Sequence, residues 1–109
     1  MEFETTRLEG VMLVRPRMFK DDRGSFTETW NMEAFAETVG ASVQFKQSNE
    51  SVSRAGVLRG MHFQIPPRGQ GKLVRVTRGR VLDVAVDLRK ESATFGQHVA
   101  VELSAENRW

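Results

Sequence analysis

His62 and Lys72 are the side chains best suited by type to proton chemistry: an imidazole that titrates near neutrality and, ten residues on, a cation. His62 stands within Gly56-Val-Leu-Arg-Gly-Met-His-Phe-Gln64, between small residues and a basic stretch. Two readings fit it, a general base or a hydrogen-bonded structural residue of a strand. Lys72 opens a strand just after the glycine-flanked turn Gly69-Gln-Gly71. The spacing is not that of a Walker phosphate loop, and no helix follows. A strand-borne lysine near a histidine suits a developing oxyanion, because a fixed cation acts on charge that appears only in the transition state. Arg23 and Arg59 can each grip phosphate oxygens through two parallel hydrogen bonds, or serve as plain surface charges. His98, in Gln97-His-Val-Ala, reads as the exposed face of a late strand and receives no role. A metal needs three or four ligands, and around His62 only Gln64 and Asp83 could contribute, so no metal is expected.

The charge distribution points the same way. Net charge is only +2, yet residues 51 to 90 hold nine Lys and Arg against Asp83 and Asp87, a local +7. An anionic ligand fits that window, as does a solvated basic sheet surface. Nucleic acid fits poorly, since Phe63 is the one aromatic there and neither a recognition helix nor zinc spacing is present. With no cysteine, disulfide scaffolds, thiol nucleophiles, iron–sulfur clusters and Cys-ligated zinc are excluded together. Tyrosine is absent as well, which removes any phenol acid from the chain. The 109 residues suit one domain, residues 1–109, and no apolar run approaches the roughly 20 residues of a membrane span. The N-terminus is acidic where a signal peptide would be basic, so a cytoplasmic protein without membrane attachment is expected.

These residues must be carried mainly by strands. Gly10 to Arg15 and Phe26 to Trp30 read as strands around the turn signal Asp21-Asp22-Arg23-Gly24. Between Asn31, a candidate N-cap, and Gly40, Met32, Phe35, Ala36 and Val39 fall at i, i+3, i+4 and i+7, which predicts one short helix over 32–39. Val43–Ser51, Val57–Ile65, Lys72–Arg78, Val81–Leu88 and Gln97–Leu103 are rich in β-branched or alternating residues and read as strands. Arg78-Gly79-Arg80 is too short for a crossover and predicts an antiparallel hairpin. In Val81–Leu88 the face Leu82, Val84, Val86, Leu88 is expected to pack and the face with Asp83 and Asp87 to carry carboxylates. Arg59 and His62 differ in parity, so a common ligand requires a bulge or kink at Gly60-Met61. The fold class is all-β, a sandwich or barrel of the jelly-roll kind.

Several strings together resemble one family. Asp22-Arg-Gly-Ser-Phe26-Thr-Glu28, Phe45-Lys-Gln-Ser-Asn49, the His62 block, Gln70-Gly-Lys-Leu-Val74, Val81-Leu-Asp-Val-Ala-Val-Asp87, Thr94-Phe-Gly-Gln97 and Leu103-Ser-Ala-Glu-Asn107 are similar, in order and spacing, to dTDP-4-dehydrorhamnose 3,5-epimerases. Ser48, Met61 and Phe63 depart from that pattern, where Asp, Leu and Tyr are common. The resemblance implies a cupin-like jelly roll acting without metal or organic cofactor on a dTDP-linked 4-dehydro-6-deoxy sugar, inverting C3 and C5. It implies a homodimer with an exchanged N-terminal strand, and neither nucleic-acid nor membrane partners. His62 would remove the proton next to the ketone and Lys72 would steady the enolate oxygen. Arg59 would hold the diphosphate, with Arg23, Phe26, Glu28, Gln47 and Asn49 at the nucleotide end. The family's proton-donating Tyr and the Asp that orients its His are expected in strands beyond Trp109, so the jelly roll is expected to be incomplete here. The alternative is a non-catalytic cupin-like module that binds a nucleotide sugar or joins another chain.

Overall fold

β1 (Glu2–Thr5) and β2 (Met12–Arg15) pair antiparallel, from Glu2↔Arg15 to Thr5↔Met12. That register sets Arg15 opposite Glu2, whose carboxylate accepts from Nε at 3.0 Å and Nη2 at 2.7 Å. Both side chains are well solvated, so the pair adds at most about 1 kcal/mol. In the connection, the Thr6 hydroxyl donates to the Val11 carbonyl at 2.9 Å and accepts from the Leu8 amide at 3.2 Å. The loop winds tightly around that hydroxyl, and Leu8 is buried.

β3 (Met18–Asp21) and β4 (Gly24–Thr27) form a second hairpin joined by Asp22-Arg23 alone. The Asp21 carboxylate accepts from the Arg23 amide at 2.9 Å, and Gly24 takes φ +134°, a value few other residues adopt. The strand expected over 26–30 lies at 24–27, fixed by a partner, Met18–Asp21, that apolar periodicity did not reveal.

The helix α1 (Met32–Val39) forms where its pattern predicts. The Asn31 side chain accepts from the Ala34 amide at 3.1 Å, and the Gly40 amide donates to Ala36 at 3.0 Å, closing both ends. Phe35 is the buried residue of this helix, with Phe3, Trp30 and Phe45 around it at centroid distances of 6.3, 4.8 and 5.6 Å. Burying one such ring is worth about 1.5–3 kcal/mol, and this one ties α1 to β1 and to the segment beyond the helix.

β5 (Arg80–Val86) and β6 (His98–Ser104) make the longest ladder, from Arg80↔Ser104 to Val86↔His98. The hairpin expected through Arg78-Gly79-Arg80 does not form: Gly79 instead accepts from the Ala105 amide at 3.1 Å, and β5 pairs forward with β6. The facial expectation also changes. Leu82 is 69% exposed and Leu88 50%, because among the described residues nothing covers that side of a two-stranded ribbon, whereas Asp87 is drawn inward and is 6% exposed.

The computed structural model describes residues 1–40 and 43–109. Within them, the strands expected over 43–51, 57–65 and 72–78 do not appear, since those segments have no neighbouring strand to bond with. The accessible surface is 9580 Å², against about 6,100 Å² for a folded monomer of this mass. The radius of gyration is 15.4 Å, against about 13 Å for a compact chain of this length. Among the described residues the buried apolar side chains are Leu8, Phe35 and Leu103, and no helix is long and apolar enough to cross a membrane.

Candidate active site

The residues with chemistry lie on the stretch that lacks ladder partners. His62, Lys72 and Arg59 are all exposed. The turn Arg54–Val57, closed by the Val57 amide on the Arg54 carbonyl at 3.4 Å and by Gly56 at φ +79°, folds the chain back on itself. It brings Ser53 beside Arg59, whose Nε donates to the Ser53 hydroxyl at 2.9 Å. Gly60 takes φ +121°, but no strand forms over 57–65, so there is no pleat alternation between Arg59 and His62 for it to break. A second turn, with the Arg68 amide on the Ile65 carbonyl at 2.9 Å, precedes Lys72. Among the described residues, neither His62 nor Lys72 hydrogen-bonds or ion-pairs with another side chain.

The remaining candidates form separate small groups. Gln47 Nε2 donates to Asn49 Oδ1 at 3.1 Å, so these two amides act as one polar unit. Glu28 accepts from the Asn31 side chain at 3.3 Å, next to the start of α1. Arg23, at the tip of the second hairpin, pairs with Asp21 at 2.6 Å and stays 90% exposed. That guanidinium holds the Asp21 carboxyl below its ordinary value. Phe26 is 68% exposed on β4. A cleft of about 320 Å³ opens beside the aromatic cluster, between Trp30, Phe35 and Trp109 on one side and Leu73–Thr77 on the other. Lys72 directly precedes its wall, but none of the eight candidates lines it. Among the described residues no three His, Asp or Glu side chains are grouped to hold a metal.

Sequence reading missed one cluster. The buried Asp87 carboxylate accepts from Arg89 Nε and Nη2 at 2.9 Å each, from Ser92 at 2.6 Å and from Thr94 at 2.7 Å. The Arg89 guanidinium, then the Ser92 and Thr94 hydroxyls, hold this carboxyl well below the usual range, and Asp87 raises Arg89 in turn. Arg89 also reaches the Glu9 carbonyl at 3.0 Å, and Arg7 donates to the His98 carbonyl, so the cluster ties the first hairpin to β5–β6. The spacing Asp-x-Arg followed by Ser-x-Thr was the available signal. It marks a clasp that supports the fold, away from the candidate site.

Antiparallel strands and one short helix define a class: the solved structures this chain superposes on are sugar epimerases with a cupin-like fold. The family profile described as dTDP-4-dehydrorhamnose 3,5-epimerase matches residues 5–109, and the chain belongs to that family. A Pseudomonas aeruginosa dTDP-4-dehydrorhamnose 3,5-epimerase is 58% identical over 98 residues, covering 90% of this chain and 54% of the relative. The crystal structure of the Elizabethkingia anophelis enzyme aligns with TM-score 0.93 and 46% identity over 99% of this chain and 59% of that one. The Legionella pneumophila epimerase, solved in complex with dTDP-4-keto-L-rhamnose, aligns with TM-score 0.91 and 43% identity over 98% and 56%. The chain therefore spans somewhat more than half the length of these relatives.

Proposed function

We propose that this chain acts in the inversion of C3 and C5 of dTDP-4-dehydro-6-deoxy-D-glucose. A C–H next to a ketone is a weak acid, so a base near neutral pKa is effective only if the resulting enolate is stabilised in the same step. His62 takes that proton, the C–H electrons move toward the carbonyl oxygen, and Lys72 supplies the cation facing it. Reprotonation of the enolate carbon from water on the opposite face completes the inversion. Arg59 holds the diphosphate, while Arg23, Phe26, Glu28, Gln47 and Asn49 take the nucleotide end. Anchoring this remote group holds the ring against the base. The observation that carries the reading is the family match along residues 5–109, which includes both the His62 and the Lys72 blocks.

The test is incubation with dTDP-4-dehydro-6-deoxyglucose in deuterated water, followed at C3 and C5 by NMR. Exchange reads the base step alone and is the expected result. Binding without exchange would favour a non-catalytic nucleotide-sugar module, and no binding would overturn both.

We infer further that residues 1–109 contribute one cupin-like domain to a homodimer in which the N-terminal strand is exchanged. What supports this is the 9580 Å² surface, about 3,400 Å² beyond a folded monomer's, a load that association relieves. Sedimentation should show a dimer at micromolar concentration; a compact stable monomer would contradict it.

A further inference from the structure

The cleft of about 320 Å³ beside the aromatic cluster takes no part in the roles above, and it shares a wall, Pro16 and Arg108, with a second cleft of about 470 Å³. The two differ in chemistry. Trp30, Phe35 and Trp109 bound the first, whereas the second is lined by three arginines, Arg15, Arg17 and Arg108, with Glu2 as its one acid. None of the eight candidate residues lines either.

The three guanidinium groups are not equally free. Arg15 is paired with Glu2, and it lies over the Trp109 ring, 4.5 Å from its centroid, so it joins the polar cleft to the apolar one. Arg17 is exposed and rests on the Phe19 ring at 4.9 Å, a contact that leaves its charge uncompensated. Arg108 follows a turn in which the Ser104 amide donates to Asn107 Oδ1 and the Asn107 amide to the Ser104 hydroxyl, at 3.0 Å each. Its own amide donates to the Ser104 carbonyl at 2.9 Å, and its backbone is held left-handed at φ +59°, a value few arginines adopt. The side chain thereby reaches the shared wall, where Nη1 is buried with no hydrogen-bond partner among the described residues. A buried guanidinium N–H without an acceptor is costly, and an anionic oxygen removes that cost.

We propose that the two clefts together bind a small organic anion with an apolar body. The body lies against Trp30, Phe35 and Trp109, the anionic head accepts from Arg108 Nη1, and Arg17 supplies further positive charge. A ring-lined pocket with a few convergent polar groups is the usual form of a small-molecule site, and such pockets begin at about 300 Å³. The proposal stands apart from the nucleotide-sugar reading, since it uses other residues.

Both tryptophans of the chain, Trp30 and Trp109, line the apolar cleft, so intrinsic fluorescence reads its occupancy. Octyl phosphate, kept below its micelle threshold, is the probe, and 1-octanol is its uncharged counterpart. The full chain should bind octyl phosphate about tenfold more tightly than octanol, and rising salt should shrink that preference. Arg108→Gln should remove most of the preference and leave octanol binding unchanged, while Arg108→Lys should restore part of it. Arg17→Gln should weaken octyl phosphate about two- to fivefold, and it replaces the Arg108 variant if circular dichroism shows that one to be misfolded. Equal affinity of the wild-type chain for the two probes, octyl phosphate binding unchanged in the glutamine variants, or an equal loss of both probes would overturn the proposal. Displacement of octyl phosphate by dTDP would assign the signal to the nucleotide residues and overturn it as well.

Discussion

The β5–β6 ribbon and the stretch from 43 to 79 are built on opposite terms. In the ribbon, seven residue pairs face each other, and the connection between its strands is closed on a buried carboxylate that draws donors from Arg89, Ser92 and Thr94. The Asp87 carboxylate finds all of these donors within seven residues of chain. The 43–79 stretch holds His62, Lys72 and Arg59, yet it is shaped by turns and single contacts such as Arg59 to Ser53, with no ladder along it. Local closure makes a region stable in itself. A region that must present several polar groups to a ligand cannot spend them on one another, and its order has to come from elements packed around it. Substitutions in the two regions should accordingly separate function from stability.

The largest effect is expected at His62. His62→Asn should slow deuterium incorporation about 10²- to 10⁴-fold, while thermal stability changes by no more than about 0.5 kcal/mol, as for other exposed sites. A melting temperature that falls with the exchange rate would mean that this segment holds the fold as well as the chemistry, and the contrast would be broken. Next comes the basic window. Arg59→Ala should cost about 1.5–3 kcal/mol of dTDP binding as a charge-assisted contact, and Arg75→Ala less than about 1 kcal/mol as an exposed charge. Equal losses in calorimetry would reduce Arg59 to a contributor to the general field of the surface.

The smallest effect on ligand handling is expected in the ribbon, where the readout is stability. Asp87→Asn should lower the melting temperature at neutral pH. The sign of its pH dependence follows from the depressed carboxyl. Stabilisation by ionised Asp87 is fully present above the ordinary value of 3.8 and is lost as pH falls below it toward the folded-state value. The gap between wild type and variant should therefore be constant from pH 5 to 7 and should narrow below about pH 4 in chemical denaturation. A constant gap throughout would remove the carboxylate charge from the clasp, leaving only its hydrogen bonds.

Much of this chain follows from its sequence, where the interactions are local. The helix over 32–39 with Asn31 and Gly40 at its ends and the turn at Asp21–Gly24 are encoded by residues within a few positions of each other, and both are present. The family is legible for a related reason: the order of side-chain types along the His62 and Lys72 blocks is a property of the sequence itself. Partner choice was not legible. Sequence suggested that β5 would pair backward through Gly79, and tertiary structure pairs it forward with β6, because a strand's hydrogen bonds go to whichever backbone the whole chain brings alongside. The same holds for Asp87. Alternation assigns it to a solvated face, but donors offset the cost of burying a carboxylate, and only the folded loop gathers Arg89, Ser92 and Thr94 around it. Sequence by itself thus determined which groups are available for chemistry and where the chain turns. The tertiary structure decided which strands meet and which charge is buried, since both depend on contacts between residues that the sequence does not place side by side.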